Sequence, residues 1–210
     1  MLRPSKKRTK GRVAKRCHVG RRFAKGQHRK ALPCLLEDFE NRCAYSMEHI
    51  DLLGSESYMH VDHFDPRPAV TRKRNAYRNL FPATGPCNNK KTDSWPSRAE
   101  QADGVRFIDP SNEHDYGSQI FEDPNTHLLI GTTPAAIFQI EMIGLNSREL
   151  VNKRRERSEL IRRLTKNIAI LKRPGLGRTD DEIGAIAEIV AHLQRELSLK
   201  IPEIPSPPAP

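Results

Sequence analysis

Thirteen of the first thirty residues are Lys or Arg, and none is Asp or Glu. Charge this dense at one end sets an arm, residues 1–30, apart from the body that must supply the core. The formal net charge of +10 belongs to that arm. The other 180 residues carry 23 basic against 26 acidic groups. An arm of this kind neutralises nucleic-acid phosphates and releases their counterions, giving salt-sensitive affinity that ignores base sequence. A disordered, solubilising tail has the same composition, and the charge pattern leaves both readings open.

The body is 36% apolar, enough for one compact domain or for a small core with a helical extension. Aromatics at 6% argue against an extended base-stacking surface of the single-strand-binding kind. No apolar run is long enough to cross a bilayer, and none follows the basic start as in a secretory signal. A cytoplasmic protein with no membrane partner is expected. Four cysteines, Cys17, Cys34, Cys43 and Cys87, are too few for a disulfide scaffold and read as free thiols or metal ligands.

Along the body, Cys34 to Phe39 reads as a short helix behind Pro33. Residues 40–95 are dense in His, Asn, Cys, Pro and turn formers, as suits an irregular segment that bears a site. Within them, Tyr58 to Phe64 has strand propensity and ends before Pro66. Asn79-Leu80-Phe81 reads as the returning strand, and Gly85-Pro86 turns the chain into a helix near Cys87. Further strands are expected at Val105–Ile108 and His127–Ile130. From Thr133-Pro134 the chain turns helical, first to Ile143 and then, behind a capping box of Asn146 and Glu149, to about Arg173. Thr179 and Glu182 cap a last helix with the apolar stripe Ile183, Ile186, Val190, Leu193 and Leu197. The proline-rich end, residues 201–210, is expected to be unstructured.

Chemistry concentrates at Asp62-His63. Hydrolysis of a phosphodiester needs a base for water, a cation for the developing charge and a clamp on the phosphate. A neutral imidazole is a natural base near physiological pH. A hard cation takes one or two protein oxygens, and Asn88, at the start of the following helix, is placed to join Asp62. Consecutive residues on a strand point to opposite faces unless the strand ends or twists there.

The run Val61-Asp62-His63-Phe64-Asp65-Pro66, then Asn79-Leu80, then Cys87-Asn88-Asn89-Lys90-Lys91, resembles the HNH endonuclease family. The resemblance implies an α+β chain with a ββα-metal core over residues 31–132, followed by a helical region over 133–200. It implies His63 as general base, and Asp62 and Asn88 as ligands of one Mg²⁺ or Mn²⁺. Asn79 would hold the loop and orient the base, while Lys91, or Lys90, would face the phosphate. Arg67, Arg72, Lys73 and Arg74, in the loop between the motif's halves, are expected to contact nucleic acid, DNA rather than RNA. The wider layout over most of residues 35–170, with Phe107-Ile108-Asp109-Pro110 and then Ile143-Gly144-Leu145-Asn146 leading into an Arg-rich helix, resembles small bacterial HNH proteins of Septu and retron-type phage-defence systems, which implies an ATPase partner and foreign nucleic acid as target.

One departure stands out. Many members of the family bind structural zinc through two Cys-x-x-Cys knuckles. Here these positions read Cys43-Ala44-Tyr45-Ser46 and Thr84-Gly85-Pro86-Cys87. With only Cys43 and Cys87 left, the ligand count disfavours zinc, even if His49 or His60 is considered. Two readings compete with a nuclease: a nucleic-acid-binding module that keeps the fold without turnover, and a subunit active only with its ATPase partner.

Overall fold

The computed structural model describes residues 20–67, 71–171, 177 and 179–208. Residues 21–30, read above as arm, lie against the body. Tyr77 N–H donates to Arg21 C=O (2.9 Å) and Phe23 N–H to Asn75 C=O (3.1 Å), with Arg22 bridged antiparallel to Ala76. A 3₁₀ turn, His28–Ala31, then leads into helix α1, Leu32–Asp38. Pro33 suits the first turn of α1, where its missing N–H costs nothing, and Leu32, Leu35 and Leu36 are buried. Removing these apolar side chains from water, about 1.5–3 kcal/mol each, fixes where the arm ends. Phe23 and Cys34 pack on the cluster of Ala31, Leu35, Tyr77 and Leu80.

Strand β1, Met59–His63, is followed by the short helix α2, Thr71–Arg74, a 3₁₀ turn at Tyr77–Asn79 and strand β2, Leu80–Thr84. β1 and β2 are antiparallel, with Asp62 opposite Phe81 and His63 opposite Leu80. Thr84 is the extended cap of helix α3, Gly85–Lys91, which opens with proline in its first turn. Helix α4, Arg98–Ala102, carries a capping box of Ser97 and Glu100.

The second half holds strands β3, Ile120–Glu122, and β4, Leu129–Gly131, then helices α5, Pro134–Ile143, α6, Arg148–Leu171, and α7, Asp180–Leu199. The described residues are thus α+β, with two small antiparallel sheets among helices. β4 runs so close to α5 that a Cβ on Gly131 would meet Ile137 N at 2.6 Å. One core cluster joins the halves, from Tyr45 and Met59 through Phe107 and Ile120 to Ile143 and Ile204. Among the described residues, no helix is long and apolar enough to cross a membrane.

Several local expectations are corrected. Val105–Ile108 forms no strand; Ile108 N–H donates instead to the buried Gln139 Oε1 (2.9 Å), so the segment lies on α5 through a side chain. Asn146 does not cap α6. Its Oδ1 accepts from Leu129 N–H (2.7 Å) and Arg154, and the Ser147 hydroxyl accepts from Leu150 N–H at 3.5 Å. Residues 201–208 lack regular structure yet are packed: Ile201 and Ile204 are buried, and Pro205 C=O accepts from Glu122 N–H (3.0 Å). The apolar stripe of α7 is half-buried or exposed along its length, with Ile183 exposed.

Candidate functional site

Alternation along β1 sends Asp62 and His63 to different surroundings. Asp62 enters the interior, only 3% exposed. Its Oδ2 accepts from the Tyr45 hydroxyl (2.5 Å), and Lys91 Nζ lies 3.1 Å from Oδ1 and 3.0 Å from Oδ2. Lys91, expected to face phosphate, is instead fully buried. Cys87 and Lys91, four residues apart on α3, share its inward face. The ammonium also donates to His63 C=O (2.9 Å) and lies 5.2 Å from the centroid of the Phe107 ring. Two buried charges satisfied this fully hold each other; removing one partner typically costs about 3–5 kcal/mol. Burial first, then the charge and hydrogen bond of Asp62, push the Tyr45 hydroxyl well above its ordinary range.

His63, at the end of β1, is half-buried. Its Nε2 lies 2.9 Å from Asn75 Oδ1, and Asn75 Nδ2 donates to Ala24 C=O (3.0 Å). That second bond fixes the amide's orientation, so the oxygen faces the imidazole and His63 Nε2 is the donor. In neutral His63 the lone pair then sits on Nδ1. Burial lowers the His63 pKa from its usual range; His28 and Arg74 lower it further, against the opposing pulls of Asn75 and Asp62. The His28 ring lies against that of His63, with centroids 4.8 Å apart and planes tilted by 56°. Its pKa is lowered by burial and by the Arg74 guanidinium.

The remaining expected residues fall around this centre. Asn79 ties the loop after β1, accepting from Asp65 N–H (2.9 Å) and donating to Asp65 and Arg74 C=O (both 3.0 Å). Asn88 places Nδ2 3.4 Å from His60 Nδ1. Lys90 is exposed, with its stem over Gly144. Arg67 forks onto Asp65 (2.9 and 2.8 Å) and stacks 4.4 Å from the centroid of the Trp95 ring. Lys73 is exposed, and Arg74 meets the exposed Asp93 at 3.7 Å. Arg72 lies in α2, with its side chain outside the described residues, as are residues 1–19 of the arm.

Cys43 and Cys87 are both buried. Ser46 and Thr84 N–H groups donate to Cys43 Sγ, each at 3.4 Å. Burial pushes the Cys43 thiol up, but donation from Cys87 and these amides brings it down to about 6. Cys87 is pushed well up, first by that bond and then by burial. Around the two sulfurs stand the hydroxyls of Ser46 and Thr84, poor partners for zinc. His49 Nδ1 accepts from Asp51 N–H (3.2 Å) and His60 stands by Asn88, so neither ring is turned to the sulfurs by these contacts.

A divalent ion such as Mg²⁺ keeps several waters around the one or two carboxylates that hold it. Asp62 gives no room for that hydration shell, since Lys91 and Tyr45 already occupy its oxygens. As packed, the residues do not fit a hydrated cation shared by Asp62 and Asn88. The centre that the geometry does assemble is His63, Asn75 and His28, with the charge of Arg74 acting on both imidazoles. Asn75 and His28 carry no motif signal. Only the apolar residues Phe23, Ala31 and Leu32 beside the basic run hint that the arm's end is packed. Compared with known protein families, curated proteins and solved structures, the chain has no match.

Proposed function

We propose that the chain is a nucleic-acid phosphodiesterase of the HNH kind, in which His63 promotes attack by water. The observation that carries the reading is the His63–Asn75 bond, which leaves Nδ1 with the lone pair of a general base. The order β1, β2, α3, with Asp62-His63 closing the first strand and Asn88 to Lys91 in the helix, supports a ββα unit of that family. Burial keeps His63 neutral near pH 7, so the base is available without prior deprotonation. Nδ1 takes a proton from water, the water oxygen bonds to phosphorus, and the 3′ oxygen leaves with the bonding pair and takes a proton from solvent water.

DNA is the proposed substrate, held by the basic arm, with an ATPase as partner in a phage-defence effector; these rest on the family resemblance. Mg²⁺ or Mn²⁺ could reach Asp62 only by displacing Lys91, and no step above runs through a metal. That same ion pair favours a second reading, a binding module that keeps the fold without turnover. The test is cleavage of plasmid, linear duplex and RNA by wild type and His63→Ala, in Mg²⁺, in Mn²⁺ and in EDTA. General-base catalysis is worth roughly 10²–10⁴-fold, so His63→Ala should be slower by that factor. Tight duplex binding with no cleavage under any condition would favour the binding module instead.

A further inference from the structure

Hydrolysis leaves a negatively charged phosphate that must be held beside the base, and Lys91 cannot hold it from the interior. Two other groups flank His63: the His28 ring lies against it, and Arg74 precedes the Asn75 that holds it, with a charge that acts on both imidazoles. His28 is carried there by the docked end of the arm, whose backbone is bonded to Asn75 and Tyr77. Arg74 closes α2, and its exposed contact with Asp93 at 3.7 Å is weak enough for phosphate to replace. The amide of Asn75 ties the pieces together, since one end holds His63 and the other holds Ala24, four residues before His28.

We propose that His28 and Arg74 form the phosphate-binding wall of the His63 site. The arm then has two parts with different tasks: residues 1–19 add unspecific charge, and residues 20–31 complete the site. Guanidinium offers planar paired donors to a phosphate, and a half-buried imidazole beside it gains a proton when the anion arrives. The role rests on the cleavage reading, but the binding it requires is measurable without cleavage.

The test follows the histidine-ring resonances of the full chain by NMR during titration with inorganic phosphate and with a short phosphorothioate DNA duplex. His28 resonances, assigned by their loss in His28→Gln, should shift saturably with both probes. Arg74→Gln should weaken phosphate binding by on the order of tenfold, the effect of losing one charge-assisted hydrogen bond. His28→Phe keeps a ring against His63 while removing the proton, so it should lose phosphate affinity with the fold intact. Unshifted His28 resonances in the presence of bound duplex, or wild-type phosphate affinity in His28→Phe, would overturn the wall. A shifted His28 in a protein that cleaves nothing would uphold the wall and remove the cleavage reading.

Discussion

At Asp62 and Lys91, a carboxylate and an ammonium are both withdrawn from water, which is tolerable only because every oxygen and most of the ammonium's donors have partners. Lys91→Met leaves Asp62 charged and unpaired, and should lower stability by about 3–5 kcal/mol in denaturant melts. Asp62→Leu combined with Lys91→Met should lose less than the two single changes added, because the double change removes both charges. His63 carries a different expectation. Its folded pKa is lowered from 6.5, chiefly by burial and then by His28 and Arg74. Its neutral form is thus fully stable above pH 6.5, and the protein should lose stability as pH falls from there through the lower folded value. The acid limb of cleavage should likewise lie below pH 6.5. In Arg74→Gln, with one repelling charge gone, that limb should move upward in a pH–rate profile.

Among the elements, those whose signals are local match the sequence reading closely. Strand propensity and the prolines after Phe64 place β1, Gly85-Pro86 opens α3, Gly144 closes α5 in a left-handed conformation, and Thr179 with Glu182 caps α7. Elements defined by distant partners were not legible. β3 is three residues long, and Glu122 is buried there with Arg157 (2.7 Å) and His127 (2.9 Å), contacts that no periodicity announces. The basic residues of α6 read as a track for a nucleic-acid backbone or as a wet face, yet Arg154 and Arg157 turn inward, one to His127 and Leu145 carbonyls and the other to Glu122 and Pro202. The proline-rich end reads as loose because proline breaks regular structure, while its isoleucines still fill the core. Ile204→Ala should therefore cost about 2–5 kcal/mol, as buried aliphatic truncations do, measured by thermal or chemical melts. An unpacked tail would show no loss.

For the whole molecule, the arm is the part that charge counting describes least well. Thirteen basic residues suggest one continuous solvated run, but Phe23, Ala31 and Leu32 let its end pack beside β1 and β2. In the candidate site, His63 was visible from its motif. Asn75, His28 and the inward turn of Lys91 were not, because each depends on a contact between segments far apart in the chain. Deleting residues 1–19 removes eight Lys and Arg. The slope of log affinity for duplex against log salt should become shallower, as each phosphate neutralised adds about 0.9 to it. The most direct measurement is the rate of duplex cleavage by wild type and by His63→Ala, compared at matched protein folding and matched duplex affinity. Loss of roughly 10²–10⁴-fold in the variant is the expected result for a general base. Equal rates would contradict His63 as the base of a phosphodiesterase.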